Sequence, residues 1–310
     1  MTGQNIFINP ERRTLRSGWR VVVFFLMGIA AWVLLTGLLG WVVDRPSGAD
    51  GRSTLSGRLL VLVPRIAAIL IATAVCLRLF DDRKLRSIGY QFHRGWWRDY
   101  LNGIGVAAVM MTVIVGIERI AGSVSLSWSQ ATTGDMAGDL LVTFVFFNVA
   151  AAFEELMFRG YPLQTLLRDV RPAAAVFIPS ILFGLLHLVN PNPSVLAIIN
   201  TILAGVWLSV AYLKTRSLWL CTSLHFAWNW VMNSIYGLRV SGVQSVIQDA
   251  APLWQAAQTG PDWLTGGGYG PEGGGLTTVM LGVTTLMLWR ARWLTSSQEI
   301  NYMSGTPRSG

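Results

Sequence analysis

Apolar positions along this chain do not alternate with polar ones at a helical or strand period. They run together. Eight such runs approach the roughly 20 residues that a helix needs to cross a bilayer. They are Trp19–Val43, Leu59–Leu79, Leu101–Ile117, Leu140–Leu167, Ala173–Leu188, Val195–Tyr212, Leu218–Ile235 and Leu276–Leu294. The fourth is apolar only to about Phe158 and amphipathic beyond it. The first run is too long for a signal peptide, and no small-residue cleavage site closes it. The pattern predicts an all-α polytopic membrane bundle of about eight transmembrane helices. It predicts a cytoplasmic segment 1–18, a transmembrane domain 19–294 and a cytoplasmic tail 295–310. The stretch 236–275, with "GGGYGPEGGG", reads as a flexible outer connection. No internal repeat and no separate soluble domain is visible.

Composition agrees. Of 310 residues, 52% are hydrophobic and 13% charged, against about 25% charged in an average soluble domain. The net charge of +8 could suggest nucleic acid, but its distribution points elsewhere. With the N-terminus inside, 17 of the 24 basic residues fall in inner segments and six in outer ones, leaving Arg159 within a span. This is the positive-inside bias. It implies an integral protein, in a bacterial inner membrane by expectation, with both termini cytoplasmic and no nucleic-acid partner. Arg65, two turns inside its span, is expected to snorkel outward. Trp96 and Trp97, in the basic stretch 85–100, suit the headgroup layer. Cys76 and Cys221 lie in separate runs and suggest neither a disulfide framework nor a thiolate zinc site.

Ionisable side chains inside spans are costly and usually functional. Here they are Glu154, Glu155, Arg159, His187 and His225, with Asn148, Asn200 and Asn229 as neutral company. The turn between the fourth and fifth spans lies near residues 169–172. Glu154, Glu155 and His187 are each roughly 22–25 Å along their helices from it, at 1.5 Å per residue, so they come level. His225 and Asn229 are roughly 13 and 20 Å along the seventh span. All can meet in one layer if the helices are neighbours. Glu155 and Arg159, four apart, can pair on one face. Glu154 is turned about 100° away and left to point elsewhere. Phe183 can pack beside His187, also four residues on. Asn200 taken alone is more readily helix-packing glue than a catalyst. Two carboxylates, two histidines and an asparagine are the raw material of a hydrolase: a base, a second proton or metal handler, and oxyanion donors.

Three segments carry a family resemblance. "EELMFR" (154–159) resembles the EExxxR motif of the CAAX-processing and bacteriocin-processing (CPBP) intramembrane proteases, which include CAAX endopeptidases and bacterial Abi proteins. "FGLLH" (183–187) is similar to its FxxxH motif, and "HFAWN" (225–229) to its HxxxN motif. The resemblance covers about 95–235. It implies an intramembrane endopeptidase acting on membrane-associated or CAAX-like protein or peptide substrates. By that analogy Glu154 with His187 activates water, and His225 with Asn229 stabilises the oxyanion. Glu155 and Arg159 carry over as supporting members of the catalytic set. No cofactor is required by this reading. A zinc site is chemically possible, with His187, His225 and Glu154 as its ligands and perhaps Glu155. A proton-coupled transporter or a catalytically silent scaffold or immunity protein are the alternatives.

Overall fold

The computed structural model describes residues 6–9, 14–42, 55–244, 250–292 and 294. The tail 295–310 and the 43–54 connection therefore lie outside the described residues. A short ladder, β1 (Ile8–Asn9) and β2 (Thr14–Leu15), precedes α1 (Ser17–Val42) and α2 (Leu55–Cys76). Then come α3 (Trp96–Ile120), β3 (Val124–Trp128), α4 (Thr133–Glu155) and α5 (Tyr161–Leu166). α6 (Pro172–Leu186), α7 (Val195–Thr215) and α8 (Leu218–Trp230) follow. β4 (Trp254–Gln258), a single turn α9 (Asp262–Thr265) and α10 (Gly275–Arg290) complete the chain. β3 and β4 pair antiparallel from Val124↔Gln258 to Trp128↔Trp254. The predicted helical membrane bundle is present, with two small ladders that the apolar runs did not announce.

Six helical segments among the described residues are long and apolar enough to cross a membrane. They match the first six predicted runs; the last two fall short for different reasons. α10 has 16 residues, a rise of roughly 24 Å. α8 and its π-helical continuation Val231–Ile235 carry Thr222, Ser223, His225, Asn229, Asn233 and Ser234. α8 can hold these because it faces protein: every residue from Leu220 to Trp228 is buried. α1 is the opposite case. Leu26, Ile29, Val33, Leu34 and Leu38 are all more than half exposed, the outward apolar surface that lipid, not water, would cover.

α8 packs against α3, α4 and α7. The α3–α8 approach depends on Gly103. A Cβ there would lie 1.9 Å from Ser223 Oγ and 2.9 Å from the Leu224 backbone nitrogen, so no side chain fits. One end of the bundle is tied by charges. Asp81 Oδ1 accepts from Arg20 Nη1 at 3.0 Å and from Arg168 Nη1 at 2.7 Å, joining α1, the end of α2 and the end of α5. At the same end Lys214 Nζ donates to Trp289 O (3.2 Å). Helix directions therefore alternate as the eight runs require.

The 236–275 connection differs from its expectation: its described residues are ordered, not loose. Glu272 accepts from Trp228 Nε1 (3.2 Å), Ser241 N (2.6 Å) and Ser241 Oγ (2.8 Å). Asn200 Nδ2 donates to Glu272 O (2.8 Å) and Gly274 O (2.9 Å) and its Oδ1 accepts from Thr278 (2.6 Å). Gly270 sits at φ +92°, where a Cβ would meet Arg239 O at 2.3 Å. Its glycines serve close turns, not slack. Asn200 is the packing glue expected of it.

Candidate active site

Thr132 starts α4: its Oγ1 accepts from Asp135 N (3.2 Å), satisfying a donor of the first turn. The helix then runs to Glu155 and widens into a π turn, Leu156–Gly160, before α5. Pro162, in the first turn of α5, has no N–H to give the Phe158 carbonyl, so the regular ladder cannot pass through. Such π turns recur at functional sites. This one carries the predicted pair: Arg159 Nη1 donates to Glu155 Oε1 at 3.0 Å, with both side chains fully buried. Arg159 Nη2 donates to Gly205 O on α7 (3.0 Å). The guanidinium also lies 4.8 Å from the Phe183 ring centroid. Arg159 thus ties α4 to α6 and α7.

The second partner of Glu155 was not anticipated. His225 Nδ1 lies 2.8 Å from the same Oε1; that oxygen already accepts from Arg159, so the nitrogen is the donor. His225 Nε2 is 3.7 Å from Glu154 Oε2, too far for a direct hydrogen bond. Glu154 Oε2 is buried and has no hydrogen-bond partner. The two adjacent glutamates are therefore unlike. Glu155 is consumed by structure, and Glu154, about 30% exposed, is left open to a cavity.

That cavity, of about 540 Å³, is walled by α2, α4, α6, α7 and α8. Glu154, His187, His225, Asn229 and Asn200 all line it, so the four residues expected to carry the chemistry do meet. Glu155 and Arg159 lie behind it. Asn148 is elsewhere: its amide bonds the Tyr100 hydroxyl between α4 and α3. His187 ends α6, its ring centroid 4.6 Å from that of Phe183 as the spacing suggested. Its Nδ1 donates to Phe183 O (2.7 Å). That bond assigns the tautomer and leaves Nε2 with its lone pair in the neutral ring.

Sequence reasoning missed several wall residues. Arg58 and Arg65 line the cavity from α2. The Arg65 guanidinium rests 5.1 Å from the centroid of the Trp32 ring. The signal was present: residues seven apart share a helix face. Glu272 also lines the cavity, and its isolation in a glycine-rich stretch gave no depth to judge by.

The candidate ligands for a possible zinc ion, His187, His225 and Glu154, are not brought together as a ligand set. Among the described residues no three His, Cys, Asp or Glu side chains stand close enough to hold an ion. Glu155 Oε1 is already shared by Arg159 and His225, and His187 Nδ1 by a carbonyl. No step is therefore routed through a metal.

Residues 136–231 match the family model described as type II CAAX prenyl endopeptidase, Rce1-like. The matched segment, under a third of the chain, contains all three motifs and runs from the start of α4 to the end of α8. It bears out the CPBP resemblance, beginning later than the 95 taken from the motifs. No curated protein and no solved structure matches the chain. The family match and the six apolar helices support an integral membrane protein with intramembrane endopeptidase activity on a peptide substrate.

Proposed function

We propose that the chain cleaves peptide bonds of membrane-associated or CAAX-like protein substrates in the cavity, with Glu154 as the base. The observation that carries this reading is the contrast between the glutamates. One is fully buried and held by Arg159 and His225; the other is about 30% exposed on the cavity wall, with His225 Nε2 3.7 Å from its Oε2 and His187 lining the same cavity. Ionisable side chains inside a membrane bundle are costly, and a fold that keeps Glu154 on the wall of such a cavity has a use for it.

In this mechanism a water bound between Glu154 and His187 loses a proton to Glu154 as its oxygen attacks the scissile carbonyl carbon. His187 accepts a hydrogen bond through Nε2 and orients that water. The oxyanion takes hydrogen bonds from the Asn229 amide and from His225 Nε2. Because His225 Nδ1–H is committed to Glu155, Nε2 can donate only when the ring is protonated. Glu154 then gives its proton to the leaving amine nitrogen, the C–N bond breaks, and the new carboxyl group holds the oxygen of water. Arg159, Glu155 and Phe183 position the two histidines. The apolar walls restrict water to the site, which strengthens each polar contact.

The test is substrate trapping. Glu154→Gln, expressed in native membranes, is expected to fold, to accumulate one or more membrane-associated precursors and to form no product. Accumulation of an unchanged set of proteins would remove the proposal. A proton-coupled transporter would instead show the same mutation abolishing a pH-driven flux in vesicles.

A further inference from the structure

A second cavity, of about 450 Å³, opens at the end of the bundle tied by Asp81. Four cations line it: Arg83, Arg168, Lys214 and Arg216; no acidic residue does. Asp81 stands behind Arg168 at 2.7 Å and also serves Arg20 at 3.0 Å. Among the described residues Arg83, Lys214 and Arg216 form no ion pair. The positive charges crowd. Burial pulls the Arg83 guanidinium below its ordinary range, and the neighbouring Arg168 adds to this. Arg83 is nonetheless held in place: its Nη2 donates to Ser87 O (2.9 Å) and Gln164 Oε1 (3.5 Å), while Nε is buried without a partner. Pro172, the first residue of α6, is in the wall too, so the positive end of that helix macrodipole adds to the field.

Orientation signals require only that basic residues lie near the membrane surface. They do not require four of them around one concavity, three of which have no ion-pair partner among the described residues. The apolar part of the same wall supplies the other half of an amphiphile. Leu167, Leu213 and Tyr212 line it, and Trp289, 59% exposed, stands at its edge on α10, as aromatic residues do at the headgroup level. We infer that this cavity between α5, α6, α7 and α10 binds the phosphate of an anionic phospholipid headgroup. The acyl chains would lie against the exposed apolar face of α10, which carries Val283, Leu286 and Met287. Bound there, the lipid would neutralise the crowded cations and brace α6 and α7, whose other flanks wall the first cavity. Basic pockets between helices are a recurrent means of holding such headgroups.

The full-length protein in neutral detergent supplies the test. Phosphatidylglycerol, phosphatidylcholine and inorganic phosphate are titrated separately, and bound lipid is counted by native mass spectrometry. Phosphatidylglycerol is expected to bind at one saturable site, with phosphatidylcholine and free phosphate far weaker. Lys214→Gln with Arg216→Gln should weaken that binding about tenfold or more, given the attraction that each basic residue adds. Arg78→Gln with Arg290→Gln removes two exposed cations that do not line the cavity and should leave it unchanged. Arg216→Lys, which keeps the charge, guards against misfolding and should bind as the parent does. Equal loss in both double variants, or free phosphate binding as tightly as the lipid, would overturn the inference.

Discussion

Glu154 and Glu155 are chemically identical neighbours with opposite fates, and the difference is measurable. Glu155→Gln leaves the Arg159 charge buried without its counter-ion, beside the Gly205 carbonyl and the Phe183 face. Breaking a buried pair costs about 3–5 kcal/mol, so this variant is expected to melt well below the parent in detergent. Glu154→Gln removes a carboxylate with no hydrogen bond to lose at Oε2; it is expected to melt near the parent and to be inactive. Equal melting of the two would contradict the division of labour. Asn229 lines the cavity, so Asn229→Ala should lower kcat by about 10²–10³, the usual cost of one oxyanion donor. The absence of a three-ligand cluster predicts that the purified enzyme carries no stoichiometric zinc and keeps its activity under strong chelation. One zinc per chain by elemental analysis, with chelated activity restored by zinc alone, would reverse that. At this scale the four-residue spacings were enough to place Glu155 with Arg159 and Phe183 with His187. They could not place His225 on Glu155, because that contact is made between two helices 70 residues apart in sequence.

Elements carry the next layer of the argument. α8 brings His225 and Asn229 to the cavity only because α3 lets it approach, and Gly103 is where they touch. Gly103→Ala is expected to destabilise by about 1–3 kcal/mol, the cost of overpacking a filled interior, and to reduce activity with it. Unchanged melting and turnover would mean that the α3–α8 contact is loose. Long apolar runs made six of the helices legible, since lipid demands about 20 apolar residues whatever the fold. α8 and α10 were legible as runs but not as full spans. The π turn at Leu156–Gly160 was not read in advance, although Pro162 marks the place where the ladder must change. The 236–275 connection misled because glycine permits tight positive-φ turns as readily as slack. Its order comes from Glu272 and Asn200, partners remote in sequence.

As a whole molecule the protein is a bundle whose helix directions alternate and whose basic residues gather at one end. The account therefore predicts that both termini are cytoplasmic and the 236–275 connection lies outside. Reporters fused after Arg308 and inserted near Gly267 check this; periplasmic activity from the C-terminal fusion would reject it. The central claim is that this bundle hydrolyses peptide bonds through Glu154. The most direct measurement uses membranes incubated in heavy-oxygen water, followed by mass spectrometry of newly formed C-termini. The mechanism puts the oxygen of water into each new carboxyl group. Membranes with the parent protein should yield labelled C-termini from membrane-associated substrates that membranes with Glu154→Gln lack. The same labelled termini in both would contradict the account.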